Sequence, residues 1–246
     1  MLSVVIPVYN EEKIIKTSVT RLTEYLRSLC IPFEVLISDD GSRDSGAGIV
    51  SSLSQKYSEI RLLCNPLNRG KGAAVRDGML SAKGDVIVFT DCDLAYGEDV
   101  IYDIYRRLKN GVADVIIGSR SLHPEGYEGY SELRKAFSKQ YLRMLSGALK
   151  ISHSDFQCGI KGFTAEARDK IFPLCRINGY AFDLEVLLIA EKRGLGVMEI
   201  PVKVLAETKH KARMKMLPEA IKMVRDVSKI KNTSYDGLLK DGVSEE

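Results

Sequence analysis

No apolar run in this 246-residue chain approaches the roughly 18–20 residues needed to cross a bilayer. The opening Met1-Leu2-Ser3-Val4-Val5-Ile6-Pro7 has no basic leader and no small-residue cleavage site, so it reads as cytoplasmic and not as a signal peptide. Five cysteines (Cys30, Cys64, Cys92, Cys158 and Cys175) lack metal-ligand spacing and read as buried, reduced thiols. Internal repeats and low-complexity tracts are missing, and 45% hydrophobic with 28% charged residues excludes both disorder and a fibre. Charge of one sign is scarce as well, since the net is only +3. What excess exists gathers between Glu207 and Lys231, with eight Lys/Arg against three acids. A basic segment on a near-neutral body suggests one anionic surface or ligand, not general nucleic-acid binding.

The chain does contain a strand aimed at two acids. Val86-Ile87-Val88-Phe89-Thr90 reads as a strand buried on both faces of a parallel sheet, and it runs into Asp91-Cys92-Asp93. Ligands of open α/β sheets bind at that end of a strand. Two aspartates spaced i, i+2 repel each other unless a cation accompanies them, and hard oxygen ligands suit Mg²⁺ or Mn²⁺ carrying a diphosphate.

Strands and helices alternate around it, which implies right-handed crossovers and a mostly parallel sheet. Leu2 to Val8 is a strand, and Glu11-Glu12 suits the start of a helix whose Ile15, Val19, Leu22, Leu26 and Leu29 share one face. Phe33–Ser38 and Ile60–Cys64 are strands, separated by a helix opened by Asp44-Ser45 and ending near Tyr57. A glycine-rich turn, Asn68 to Arg76, enters a helix reaching Ala82; Asp99 to Asn110 is helical, and Ala113 to Gly118 is a strand. Beyond Arg120 the pattern loosens. The expected elements are a loop over His123 to Tyr130, helices over Ser131 to Leu149 and Ala181 to Arg193, and strands over Asp155 to Phe163 and Gly196 to Val204. Lys240 to Glu246 reads as a frayed tail.

Three strands end in acid-bearing turns, Asn10-Glu11, Asp39-Asp40 and Asp91-Cys92-Asp93, and in a parallel sheet these ends share one edge. Together with Val5-Ile6-Pro7-Val8-Tyr9-Asn10-Glu11-Glu12, Asp39-Asp40-Gly41-Ser42 and Asn68-Arg69-Gly70-Lys71-Gly72, they resemble in order and spacing the GT-A glycosyltransferases of family 2. Gly118-Ser119-Arg120, Asp155-Phe156-Gln157-Cys158-Gly159 and Phe182-Asp183-Leu184-Glu185 look like the polyprenyl-phosphate branch, which includes dolichyl-phosphate glucosyltransferases and mannose synthases. The glycine-rich string is closer to the glucosyltransferase type, and the resemblance covers roughly residues 2–230.

The resemblance implies a GT-A fold of the α/β class with a mostly parallel central sheet. It also implies a catalytic domain over 1–205, divided into a nucleotide-sugar half (1–118) and an acceptor half (119–205). A basic loop and amphipathic helix (206–231) and a tail (232–246) would follow. The activity implied is an inverting, metal-dependent transfer of a hexose from a nucleotide sugar, UDP-glucose foremost, to a polyprenyl phosphate. Pro7, Tyr9, Glu11, Asp39, Lys71 and Asp91 would bind the donor, and Asp39 would meet the base. Asp91 and Asp93 would hold Mg²⁺ or Mn²⁺. Leu94-Ala95 stands where mannose synthases often have Leu-Gln, leaving the coordination shell one protein ligand short. Arg120, Arg134 and Ser138 match acceptor-phosphate positions, since arginine pairs bidentately with phosphate oxyanions. Asp155 aligns with an acid given base or positioning work, and with Asp91, Asp93 and Arg120 completes the catalytic set. Asp183 and Glu185 would orient the sugar or hold arginines. Arg69 and His210 are phosphate candidates, whereas His123 and His153 read as ordinary loop histidines.

Alternatives stay open at this point. One is a GDP-mannose-dependent mannose synthase, and another is a soluble family 2 enzyme acting on a hydroxyl with Asp155 as base. A third is a binding module without catalysis, which would leave Arg120, Arg134 and Asp155 without a task. Leu217, Ala220, Ile221, Val224, Val227 and Ile230 form one face of a last helix, with Lys222, Arg225 and Lys229 off it. That helix either packs on the domain or lies at the cytoplasmic face of a membrane as a peripheral anchor.

Overall fold

The structure is a computed structural model, and it describes residues 1–127, 147, 149, 153–205 and 216–235. Seven strands among them form one sheet: β1 (Leu2–Val8), β2 (Phe33–Asp39), β3 (Ile60–Cys64), β4 (Val86–Thr90), β5 (Val115–Ser119), β6 (Ile160–Thr164) and β7 (Val197–Pro201). Their order across the sheet is β3-β2-β1-β4-β6-β5-β7. All pairings are parallel except those of β6, which runs antiparallel to both β4 and β5. The mostly parallel sheet read from the sequence is therefore present.

The reversed strand matters for the site. Thr90, the last residue of β4, faces Ile160, the first of β6. The turn preceding β6 is thus delivered to the same sheet edge as Asp91 and Asp93, beside the residues that follow β5.

Strand residues alternate between two cores with the period of two that a pleated strand imposes. Val4, Ile6, Val8, Val86 and Val88 pack with α1 (Ile15–Ser28), α2 (Gly46–Lys56) and α4 (Glu98–Lys109). Val5, Ile87 and Phe89 pack with α3 (Lys71–Ser81), α5 (Ala165–Ile171), α6 (Phe182–Lys192) and α7 (Met216–Asn232). Ile15, Val19, Leu22 and Leu26 of α1 are essentially fully buried, each such side chain worth about 2 kcal/mol in removed apolar surface. Close approach of α3 needs Gly78, where a Cβ would lie 2.4 Å from a Val5 methyl.

Several expectations shift. Glu11 and Glu12 do not begin a helix: α1 starts at Ile15 with no acid in its first turn, and Glu12 Oε2 instead accepts the Ser45 N–H at the entrance to α2, at 3.0 Å. The strand expected over Asp155 to Phe163 is shorter, because β4 offers backbone partners only as far as Thr90 and Asp155 is turned toward Arg120. Helix α5 is an addition; Thr164 caps it by accepting the Ala167 N–H, a Thr-before-Ala-Glu-Ala signal visible in the sequence. The thiols are free, but only Cys92, Cys158 and Cys175 are buried, while Cys30 and Cys64 are exposed.

Helix α7 packs on the domain. Met223, Val227 and Ile230 join the core, and Val224, expected on the same face, is 50% exposed. The start of the expected tail is pinned as well: the Tyr235 hydroxyl donates to Glu185 at 2.9 Å, and its carbonyl accepts from Arg193 at 2.6 Å. Arg134, Ser138, His210 and the Lys240 to Glu246 tail lie outside the described residues, as does the Ser131 to Leu149 helix apart from positions 147 and 149. No helix among the described residues is long and apolar enough to cross a membrane.

Candidate active site

A cavity of about 980 Å³ opens where β1, β2 and β4 end. Pro7, Tyr9 and Glu11 line it from the first turn, Asp40 from the second, and Asp91 and Asp93 from the third. Lys71, Gly179, Tyr180 and Lys222 also line it. The three acid-bearing turns do meet on one crevice.

The first two turns are laced together. Asn10, at φ 58°, accepts the Arg43 N–H at 2.8 Å through its side chain and donates its own N–H to Ser42 Oγ at 2.9 Å. Asparagine tolerates that left-handed backbone better than most residues. Asp44 bridges the Glu12 and Gly46 amides, each at 2.9 Å.

Asp39, the expected base contact, is buried and accepts from both the hydroxyl and the N–H of Ser42. It is Asp40 that reaches the cavity, with its carboxylate holding the Arg69 and Gly70 amides at 3.0 and 2.7 Å. That clamp fixes the glycine-rich turn. Gly70 has φ 109°, and a Cβ there would stand 2.5 Å from the Asn178 carbonyl, so the start of α3 can press against residues 177–179 only with glycine. Arg69 turns away from the cavity toward Asn65 and Asp77.

Lys71 points inward. Its ammonium lies 2.6 Å from Asp91 Oδ1. Burial pulls this ammonium toward deprotonation, but the carboxylates of Asp91 and Asp183 outweigh it and hold the proton more firmly than on an ordinary lysine. The other carboxylate oxygen of Asp91 faces Gly159, where a Cβ would come within 2.1 Å. Asp93 Oδ1 accepts the Ala95 N–H at 3.2 Å.

Leu94 and Ala95 are buried, and neither side chain carries an atom that could ligate a metal. Among the described residues no three metal-binding side chains cluster. Two hard carboxylates on one cavity wall, one already neutralised by a cation, suit a divalent ion that completes its shell with phosphate oxygens and water.

Arg120, which follows β5, and Asp155, in the turn before β6, are absent from the cavity lining. Asp155 is fully buried and grips the guanidinium bidentately, at 2.7 and 2.8 Å. The Arg120 guanidinium, only 16% exposed, also faces the Tyr127 ring at 5.6 Å. Burial opposes its charge, yet the Asp155 bond keeps it above the ordinary arginine range. The Cys158 thiol beneath is pushed up to about 11 by burial and then by Asp155.

Among the described residues neither Asp183 nor Glu185 holds an arginine side chain. Asp183 pairs with Lys161 at 2.5 Å, and Glu185 accepts the Arg176 and Ile177 amides, both at 2.8 Å. Burial raises both acids above their usual range despite those partners. Lys161 escaped the sequence reading because a lysine in a five-residue strand ordinarily points to solvent. Asp40, Tyr180 and Lys222 were also missed as cavity residues; Asp40 at least stood beside a chosen acid.

The family model for glycosyl transferase family 2 matches residues 3–172. The chain belongs to this family. As a family 2 member it is 34% identical over 209 residues to dolichyl-phosphate beta-glucosyltransferase ALG5C of Trichomonas vaginalis, covering 80% of this chain and 62% of that protein. It is 32% identical to dolichyl-phosphate beta-glucosyltransferases of Dictyostelium discoideum and Homo sapiens, covering 82% of this chain and 65% and 66% of theirs. The chain thus spans slightly under two thirds of the length of these relatives.

Among solved structures, glucosyl-3-phosphoglycerate synthase from Mycobacterium tuberculosis, in complex with Mn²⁺, UDP-glucose and phosphoglyceric acid, superposes with a TM-score of 0.70 at 20% identity. That match covers 96% of this chain and 81% of the other. Mannosyl-3-phosphoglycerate synthase from Rubrobacter xylanophilus gives 0.66 at 15% identity, over 93% and 73%. These likenesses speak for the fold, and the α/β GT-A architecture expected from the motifs is the one present.

Proposed function

We propose that this family 2 chain transfers a hexose, with inversion, from a nucleotide sugar to a polyprenyl (dolichyl-type) phosphate, with UDP-glucose as the favoured donor. The observation that carries the reading is a pair of charged groups at the strand ends of one sheet edge, one around the cavity and one around Arg120. In the first, Asp91, Asp93 and Lys71 gather around a cavity large enough for a nucleotide sugar. In the second, the Arg120 guanidinium is held rigidly by Asp155.

Tyr9 and the Pro7–Glu11 turn would flank the nucleoside, with Asp39 and Asp40 fixing the adjoining turn or the base. Asp91 and Asp93 would hold Mg²⁺ or Mn²⁺, which when bound would stabilise the departing nucleoside diphosphate. Lys71 adds a further positive charge close by.

A phosphate monoester is already anionic at neutral pH and needs cations more than a base. Arg120 supplies a preoriented guanidinium, and Arg134 and Ser138 would complete the acceptor seat. Asp155 is fully engaged by Arg120, so it acts as a positioning residue. This is why the hydroxyl-acceptor reading, which needs Asp155 as a free base, is set aside. The relatives named dolichyl-phosphate beta-glucosyltransferase support the acceptor and the sugar. The exposed Arg225 and Lys229 of α7 would rest on a cytoplasmic membrane surface while its apolar face packs inward.

The test is a donor panel of UDP- and GDP-sugars against polyprenyl phosphate, with and without chelator. Metal-dependent glucosyl-phospholipid from UDP-glucose is expected. Transfer only to free hydroxyls, or full activity in chelator, would sink the proposal.

A further inference from the structure

Four charges alternate from the cavity wall into the core: Asp91, Lys71, Asp183 and Lys161. Lys71 lies 2.6 Å from Asp91 and also feels the carboxylate of Asp183. Asp183, 8% exposed, opens α6 and is bonded by Lys161 at 2.5 Å. Lys161 is fully buried, donates to the Cys158 carbonyl at 2.8 Å and lies 5.3 Å from the centre of the Phe89 ring.

The two middle members cannot drift apart. The Gly72 N–H donates to the Asn178 carbonyl at 2.8 Å, and a Cβ on Gly72 would stand 2.7 Å from that of Phe182. The first turn of α3 is therefore docked on the first turn of α6. A buried ion pair such as Lys161–Asp183 adds little stability over an apolar pair of the same volume. Its position beside Lys71 gives it another use.

We infer that Lys71 is a resident counter-ion which competes with a divalent cation for Asp91 and passes to Asp183 when the cation takes Asp91. Lys161 is the positioning residue that keeps Asp183 in place to receive it. Without a divalent cation Asp91 is matched by Lys71. In the loaded chain Asp91 is matched by the divalent cation and Lys71 by Asp183, so neither state leaves a bare charge in a partly buried place. The inference rests on the reading that Asp91 and Asp93 take such a cation.

Binding of Mn²⁺ to the full chain, read from the free-ion electron paramagnetic resonance signal with and without UDP, tests it. Lys71→Met should tighten Mn²⁺ about tenfold in the nucleotide-free chain, since the competitor for Asp91 is gone. Asp183→Asn should weaken Mn²⁺ about tenfold when Lys71 is present and have no effect in the Lys71→Met background. Equal effects of Asp183→Asn in both backgrounds would mean a through-space field only and would overturn the exchange. So would unchanged or weaker binding in Lys71→Met. If Asp183→Asn does not fold, Asp183→Asn with Lys161→Met removes both buried charges and reads the same coupling. Absence of Mn²⁺ binding in the unaltered chain, even with UDP, would defeat the metal reading itself, an outcome distinct from binding that ignores Lys71.

Discussion

Arg120 and Asp155 form a bidentate pair, Nε 2.7 Å from Oδ2 and Nη2 2.8 Å from Oδ1, while the Arg120 N–H adds a third bond to Oδ2 at 3.1 Å. The carboxylate is sealed from solvent. Asp155→Asn breaks a largely buried charge pair at a cost of about 3–5 kcal/mol. It should lower kcat/KM for a polyprenyl phosphate about 100-fold or more through acceptor binding. The acid limb of the pH–rate profile should stay where it was. A limb that moves with this substitution would restore Asp155 as a base.

Gly159 leaves no room for a side chain, because its Cβ would fall 2.1 Å from Asp91 Oδ2. In Gly159→Ala the carboxylate must swing away from its position beside Lys71. Donor turnover should drop about tenfold or more, with only a small change in melting temperature. Gly48→Ala, a site with nothing within 4 Å, is the control and should leave turnover intact. Equal activity in both variants would show that the placement of Asp91 is unimportant.

Glu34 sits buried between β1, β3 and the turn before β4. It accepts from Ser3 Oγ and the Lys83 N–H, each at 2.6 Å, and pairs with Arg61. Burial raises its pKa, but these three partners together bring it below the usual glutamate value. Such a group contributes stability above the unfolded-state pKa, and the contribution disappears as pH falls through the lowered folded value. Glu34→Gln should cost about 2 kcal/mol at neutral pH. The deficit should shrink toward nothing below about pH 4 in urea melts. A deficit that does not vary with pH would contradict this account.

On α7, Ile230 is 1% exposed and Val224 is 50% exposed. Ile230→Ala should destabilise the chain by about 3 kcal/mol, whereas Val224→Ser should stay within about 0.5 kcal/mol. Vesicle sedimentation should respond instead to reversal of the outward Arg225 and Lys229 charges. Truncating the helix would uncover core and confuse the two effects. Normal stability in Ile230→Ala would mean that α7 is not held by the sheet.

The sequence alone determined the order of strands and helices up to Arg120 and the convergence of three acidic turns. Periodicity fixes which face of an element is buried, and parallel strands must end on one side. It also carried the family, since the motifs hold their order and spacing. Only the tertiary structure decided how the charges are partnered. Lys71 meets Asp91 across 20 residues, Arg120 meets Asp155 across 35, and Lys161 meets Asp183 across 22. The reversed β6 brings the Asp155–Gly159 turn to the donor edge, and nothing local in its residues specifies that direction. Strand direction and ion pairing depend on which surfaces are left to cover once the sheet has formed, and that competition is settled by the whole chain.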